Sequence, residues 1–229
     1  MSTSTQRFNT DAIGGWTDPV EFAVTKERIK QYAAATNDPI APHAAGDYAS
    51  PVFAIVPAFA PAGEAALKVI PGELLMMIVH GEQDFRFHAP IVGEAAASHS
   101  FDESLRDSEP EATVSQTFDK DQTFRYAEAS GDPMPIHLDD ELAKSVGLPG
   151  IIVHGLCTMA FTAVAVIEHA CPEDPPRLQR LAVRFAKPVL PGQTITTRMW
   201  STGEHRFAYE TESDEGAVIV KDGLAQIRS

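Results

Sequence analysis

Two stretches of this 229-residue chain, Tyr32-Ala-Ala-Ala-Thr-Asn-Asp-Pro-Ile-Ala-Pro-His43 and Tyr126-Ala-Glu-Ala-Ser-Gly-Asp-Pro-Met-Pro-Ile-His137, follow one pattern. In both, the aspartate lies six positions after the tyrosine and the histidine lies five positions after the aspartate. A second pair of similar stretches follows, Phe85-Arg-Phe-His-Ala-Pro-Ile-Val92 and Val183-Arg-Phe-Ala-Lys-Pro-Val-Leu190. The offset is 94 residues in the first pair and 98 in the second. The chain is therefore predicted to be a tandem duplication of a module of about 100 residues.

Each half carries the same order of predicted elements. A helix comes first, with Thr25 as its N-cap in the first half and Asp119 or Asp121 in the second, and it ends before an Asp-Pro pair. A long apolar helix then runs from about His154 to Glu168 in the second half. Alternating segments that indicate an antiparallel meander follow it at 180–187, 193–201, 206–211 and 217–227.

A sheet wrapped around one long buried helix is the hot-dog architecture. We therefore expect an α+β double hot-dog with modules at residues 1–115 and 116–229. The polar stretch 102–117, which contains Pro110, is predicted to be the joint between the modules, a long hairpin loop, or both. In the first half, Pro61 and Gly63 are expected to interrupt the corresponding helix.

Composition excludes several classes of function. With 18 basic and 32 acidic residues the net charge is −14, which disfavours nucleic-acid backbones and anionic membranes. The long uncharged run at 148–167 is broken by Pro149 and indicates a buried helix rather than a membrane span. Cys157 is predicted to be a core residue, and no Cys/His spacing resembles a zinc site. We expect a cytoplasmic protein without a metal or a cofactor of its own.

The second copy of the repeat carries the candidate chemistry. Pro133 fixes the chain after Asp132, and Pro135 restricts Met134 to extended geometry. A stiff loop of this kind presents the carboxylate of Asp132 and the imidazole of His137 to one small volume, as general acid–base catalysis requires. Downstream, free backbone N–H groups at the start of the long helix form a site for a developing oxyanion, and Gly155 has no side chain to block it.

These residues resemble the signature of the MaoC-like, (R)-specific enoyl-CoA hydratases, in which an aromatic residue precedes Gly-Asp-x-Asn-Pro-hydrophobic-His. The later Ile-Val-His-Gly155 and the Arg-Phe-Ala-Lys-Pro stretch that begins at Arg184 are also similar to that family. The resemblance implies that Asp132 and His137 hold a water, that hydroxide adds to C3 of a trans-2-enoyl thioester, and that Gly155 N–H meets the thioester oxygen. The reverse reaction dehydrates an (R)-3-hydroxyacyl thioester, so the chain would be a hydro-lyase of fatty acid metabolism. It also implies coenzyme A as part of the substrate and a possible homodimer.

The sequence departs from that signature at one position and leaves several roles open. Met134 stands where the family commonly has Asn, which puts rate and substrate preference in doubt. Arg184 and Lys187 are candidates for the phosphates of coenzyme A, although Arg184 fits a solvent-facing strand residue equally well. His154 is a candidate substrate contact or a structural residue at the start of the helix.

The first copy of the repeat has the same spacing but lacks equivalents of Pro135, His154 and Gly155. We interpret the first module as a degenerate copy that houses the acyl chain. Asp38 and His43 are a less favoured candidate for a second site. The structural alternatives are that Asp132 only terminates a helix and that His137 is a core histidine. Rival functions are a dehydratase on acyl-carrier-protein thioesters, a hot-dog thioesterase and a non-catalytic binding protein for acyl thioesters.

Overall fold

The structure is a computed structural model that describes residues 8–15, 17–71, 74, 78, 80–87 and 101–229. The helices are α1 (Lys26–Ala35), α2 (Ala41–Ala45), α3 (Ile55–Val69), α4 (Gln122–Ser130), α5 (Asp140–Ser145) and α6 (Gly155–Ala170). The strands are β1 (Glu82–Arg86), β2 (Ala112–Thr117), β3 (Leu178–Phe185), β4 (Thr194–Gly203), β5 (Arg206–Ser213) and β6 (Val218–Ile227). The four strands predicted in the second half are therefore confirmed, with bounds that differ by one or two residues.

The described strands form one antiparallel sheet in the order β1-β3-β6-β5-β4-β2. Strands β4, β5 and β6 form a meander, whereas β3 pairs with β6 and not with β4, so the predicted four-strand meander is wrong at β3. Strands β1 and β2 lie at the two edges. Helix α6 packs on one face, and every residue from Leu156 to Ile167 is buried. Such a helix, apolar nearly all round, is stable only when the sheet and the neighbouring helices remove it from water. The α+β hot-dog fold is thus confirmed.

Equivalent segments of the two halves meet in space. Tyr32 and Tyr126, the first residues of the two repeats, are both buried, and their hydroxyl oxygens are 3.5 Å apart. Strand β1 pairs with β3, so Phe85 lies beside Leu181 in the sheet. Residues 88–92, the remainder of the 85–92 stretch, lie outside the described residues. Contacts between equivalent elements are what a duplicated module with local twofold symmetry would produce.

The long helix of the first half differs from its expected form. Helix α3 is continuous through Pro61 and Gly63, so the predicted interruption is wrong. No residue of α3 is buried among the described residues, which also separates it from the buried α6. Pro61 has no N–H to donate to the carbonyl of Pro57, and this lost hydrogen bond lies in a part of α3 that is not buried. By length and composition, 51–69 is the one described helical stretch that could cross a membrane, and 11% of that window is buried.

The polar stretch at 102–117 is also more regular than expected. It holds a 3-10 turn at Glu103–Asp107 and then strand β2, which pairs with β4 from Ala112↔Met199 to Thr117↔Thr194. In β2, half-buried and exposed residues alternate strictly. That period of two, with Thr and Val, marks a strand with one face on the core. The long-loop interpretation is therefore wrong for 112–117, and the module boundary at residue 115, which falls inside β2, stays a prediction.

Candidate active site

The Asp132 loop owes its shape to glycine, the aspartate itself and proline. Gly131 ends α4 with a left-handed φ of 77°. The backbone N–H of Met134 then donates to Asp132 Oδ1 at 3.2 Å. Met134 has φ −56° and ψ 125°, the extended geometry predicted for a residue before Pro135. The Asp132 carboxylate thus steadies its own loop, a task that an Asn at position 134 could otherwise share.

His137 ends the 3-10 turn that follows, and its ring is held in one tautomer. Nδ1 lies 2.7 Å from the carbonyl oxygen of Ile152. Because a carbonyl only accepts, Nδ1 carries the proton and Nε2 keeps its lone pair. Burial lowers the pKa of His137, against the opposing effects of the Ile152 carbonyl and the Asp132 charge. His137 is therefore a neutral base at neutral pH.

Asp132 is half-buried beside it. Burial raises the pKa of its carboxyl group, while the Met134 N–H and the charges of His137 and His80 lower it. Asp132 and His137 make no direct hydrogen bond to each other, yet a carboxylate oxygen of Asp132 lies within 4.8 Å of a ring nitrogen of His137. A water molecule that accepts or donates at about 2.8 Å to each group fits such a gap.

Gly155 is the first residue of α6, where backbone N–H groups have no partner inside the helix. A Cβ atom placed on Gly155 would lie 3.4 Å from the ring of Phe185. The glycine thus faces a narrow space between the helix start and β3. A ligand oxygen at this N–H would also gain from the positive end of the helix dipole.

His154 lies directly beneath the pair and is 1% exposed. Its ring stacks on that of His137, with centroids 3.7 Å apart and 23° between the planes, and Nε2 is 3.2 Å from the Asp132 carbonyl oxygen. Burial and the nearby His137 lower the pKa of His154 to about 3, so the ring is neutral. Because His154 has so little exposed surface, the structure favours a structural role over the predicted contact with substrate.

Asp132, His137 and His154 are also the described residues whose donor atoms come close enough to hold a metal, within 4.8 Å of one another. Zinc ligands must converge on one point about 2.0–2.2 Å away. Stacked rings direct their in-plane lone pairs side by side rather than toward one point. The arrangement therefore fits a water between Asp132 and His137 better than a chelated ion.

The first copy of the repeat is built differently. Asp38 Oδ2 lies 2.7 Å from His43 Nδ1, and Asp38 Oδ1 accepts the N–H of Ile40 at 3.0 Å. Asp38 is 5% exposed and His43 is 1% exposed. Both carboxylate oxygens thus have partners inside the protein, and the pair is closed to solvent. We assign Asp38 and His43 a structural role rather than a second site.

The two candidate phosphate ligands occupy different places. Val183 and Phe185 pack against the core, so Arg184, between them on β3, points to the opposite face of the sheet. There its guanidinium lies 3.4 Å from Glu82 and 3.6 Å from Asp222. This position argues against a role for Arg184 at the site.

Lys187 is exposed just beyond β3. Its segment runs beside the start of α6, because Val153 N–H donates to the Val189 carbonyl at 2.8 Å. Lys187 therefore remains the candidate for coenzyme A phosphates.

One neighbour of the site was missed by sequence reasoning. His80, from the first half, is near enough to Asp132 for its charge to lower the pKa of that carboxyl group. Its ring also meets that of Phe185 edge-on at 5.7 Å. No motif marks His80, since it reaches the site only through the pairing of β1 with β3.

Comparisons with known proteins find relatives named as hydratases and dehydratases. The chain is 37% identical over 123 residues to a probable enoyl-CoA hydratase 2 of Dictyostelium discoideum, covering 53% of this chain and 42% of that protein. It is 34% identical over 140 residues to 3-hydroxyacyl-thioester dehydratase Y of Mycobacterium tuberculosis, covering 58% and 47%. The crystal structure of a MaoC-like dehydratase from Phytophthora capsici aligns over 90% of this chain and 92% of that one, with a TM-score of 0.74 and 22% identity. The chain spans less than half the length of the two curated relatives.

Family matches cover both halves. Residues 11–100 match the dehydratase domain region of the FAS1-like family. Residues 102–223, just over half of the chain, match the MaoC like domain. The chain therefore belongs to the MaoC-like dehydratase family, as the Asp-Pro-…-His motif and the His-Gly helix start predicted.

Proposed function

We propose that this protein catalyses the reversible hydration of trans-2-enoyl-CoA to (R)-3-hydroxyacyl-CoA, with Asp132 and His137 as the acid–base pair. One observation carries the proposal: in the second copy of the repeat the carboxylate and the imidazole lie within 4.8 Å of each other without a direct hydrogen bond, whereas in the first copy they are bonded at 2.7 Å. The names of the relatives, enoyl-CoA hydratase and 3-hydroxyacyl-thioester dehydratase, support the same reaction class.

The chemistry follows from the protonation states. The lone pair on Nε2 of His137, with the Asp132 carboxylate beside it, takes a proton from the bound water. The water oxygen forms a bond to C3, and the C2=C3 electron pair moves toward the thioester, whose oxygen becomes negative. The N–H of Gly155 donates to that oxygen, a contribution of about 3 kcal/mol in related acyl chemistry. The pair then returns a proton to C2 on the same face, which completes the addition of water.

The placement of the substrate is a proposal of the same kind. Lys187 would bind the phosphates of coenzyme A from its exposed position beside the start of α6. The acyl chain would lie toward the first half, which borders the site through His80 and β1. The net charge of −14 disfavours a carrier-protein substrate, because carrier proteins are acidic and usually dock on basic patches.

A thioesterase of this fold typically carries a lone carboxylate on the long helix. In α6 the acidic residue is Glu168, which is exposed near the C-terminal end of the helix, away from Gly155. The thioesterase alternative therefore lacks its expected carboxylate on the buried part of α6.

Crotonyl-CoA tests the proposal directly. Loss of absorbance at the enoyl-thioester band, without release of free thiol, is expected, and chiral analysis of the product should give the (R)-3-hydroxy form. Thiol release in place of hydration would favour a thioesterase. Tight binding without any turnover would favour a binding protein, and either result would overturn the proposed hydratase.

A further inference from the structure

His154 makes contacts with both members of the pair. Its ring stacks on His137 at 3.7 Å, and its Nε2 lies 3.2 Å from the backbone carbonyl oxygen of Asp132. Since that carbonyl can only accept, Nε2 carries the proton and donates. The low pKa of about 3 keeps the ring neutral, so these contacts persist across the range in which an enzyme is assayed.

The other nitrogen of the ring, Nδ1, helps to show which contact of His154 a phenylalanine could not make. His154 Nδ1 is buried and has no partner. An unsatisfied buried acceptor is unfavourable, and a phenyl ring would fill the same place without one. The stacking on His137 is available to either ring. The bond from Nε2–H to the Asp132 carbonyl is available only to the imidazole.

A chain of buried aromatic residues supports His154 from the first half. The ring of Tyr126 lies 4.8 Å from that of His154, and the Tyr126 hydroxyl meets the Tyr32 hydroxyl at 3.5 Å. Burial raises the pKa of both tyrosines, so both hydroxyls stay protonated. Tyr32 also packs edge-on against Phe53 at 5.4 Å. The position of His154 is therefore fixed by residues from both halves.

We propose that His154 is a positioning residue that holds Asp132 and His137 in register for the water between them, with Tyr126 and the first-half Tyr32 as its support. This inference rests on the proposed hydratase function. It explains how the half without the working pair still sets the geometry of that pair. Misplacement of a catalytic group by about 1 Å can cost about 100-fold in rate, so a residue of this kind has a large effect without touching substrate.

The test compares two His→Phe variants, one at the N-cap of α6 and one in its last turn. His154→Phe keeps a ring on His137 but loses the bond to Asp132. His169→Phe is the matched control, because His169 also has an aromatic neighbour, Phe207, and one hydrogen bond at Nε2, to the Glu111 side chain. With crotonyl-CoA we expect kcat of His154→Phe to fall about 10-fold to 100-fold with KM within about twofold. The control should match wild type in both constants.

Titration of His137 by NMR gives a second readout that does not need turnover. The Asp132 charge raises the pKa of His137, so displacement of Asp132 should lower that pKa in His154→Phe and leave it unchanged in His169→Phe. If the wild type is active, an unchanged kcat in His154→Phe would overturn the positioning role. An unchanged His137 titration in that variant would also overturn it. Absence of hydration by the wild type would instead refute the proposed function, and the titration would still decide the role of His154.

Discussion

Asp38 and Asp132 occupy equivalent positions in the two repeats, but their carboxylates are used differently. The buried carboxylate of Asp38 is hydrogen-bonded to His43 Nδ1 at 2.7 Å. One carboxylate oxygen of Asp132 accepts the Met134 N–H, and the other oxygen is available for water. The difference lies beyond the aspartate and the histidine themselves, which are identical in both copies. In the second copy His137 turns its Nδ1 to the Ile152 carbonyl instead of to the aspartate.

The protonation states of the pair predict a pH profile. In the proposed mechanism the active form has Asp132 ionised and His137 neutral, so protonation of either group is expected to remove activity. Burial raises the pKa of Asp132 and lowers that of His137. We therefore expect kcat/KM to be constant at neutral pH and to fall on acidification below the ordinary imidazole value of about 6.5. Rates with crotonyl-CoA from about pH 4 to pH 8 measure this, and a profile that rises toward acid pH would contradict it.

At the scale of elements, the start of α6 carries the Gly155 N–H that the proposed mechanism uses. In Gly155→Ala the new methyl would lie at ordinary contact distance, 3.4 Å, from Phe185, so we expect the variant to fold. Alanine also favours the helix by about 1 kcal/mol over glycine. The methyl would nevertheless fill the approach to the Gly155 N–H.

We expect kcat/KM of Gly155→Ala to fall on the order of 10²-fold while the melting temperature is kept or raised. Steady-state kinetics and a thermal melt measure the two quantities on one preparation. A stably folded variant with wild-type kcat/KM would show that the oxyanion is bound elsewhere.

The elements that the sequence predicted well are those with a strong hydrophobic period. Helix α6 and strands β3 to β6 follow from apolar patterning alone, because burial dictates both residue type and geometry. The missed elements are polar or irregular. Strand β2 lies at a sheet edge with one exposed face, and α3 carries Pro61 on a solvent-exposed helix. Strand β2 forms through its tertiary pairing with β4, and α3, which is not buried, continues through Pro61 despite the missing hydrogen bond.

For the site, the sequence predicted which residues come together but not how each is bonded. The spacing and the prolines placed Asp132 and His137 in one volume. The tautomer of His137, the stacking of His154 and the approach of His80 depend on segments distant in the chain, and no local pattern records them. The placement of Arg184 could not be predicted for a similar reason, since only the register of β1 against β3 shows that it lies beside Glu82.

On the scale of the whole molecule, charge shapes the encounter with substrate. Coenzyme A is strongly anionic, and the protein carries a net charge of −14. A single exposed lysine beside the site therefore matters more than it would on a neutral surface. We expect Lys187→Ala to raise KM for crotonyl-CoA several-fold with little change in kcat, an effect that added salt should diminish.

Crotonyl-pantetheine, which lacks the nucleotide phosphates, separates this effect from damage to the site. Its KM should be the same in wild type and Lys187→Ala. Arg184→Ala, which removes a cation from the opposite face of the sheet, is the comparison variant and should leave both substrates unaffected. An equal rise in KM for both substrates in Lys187→Ala would contradict phosphate binding.

The repeated motif supplies the sharpest test, since it offers the same substitution at corresponding positions. Asp132→Asn and Asp38→Asn are to be compared by kcat/KM for crotonyl-CoA and by thermal unfolding. We predict that Asp132→Asn loses about 10²-fold to 10⁴-fold in kcat/KM and keeps its stability, whereas Asp38→Asn keeps its turnover and loses about 1–3 kcal/mol of unfolding free energy. A full hydration rate in Asp132→Asn, or a comparable loss of rate in a folded Asp38→Asn, would contradict the assignment of the reaction to the Asp132–His137 pair.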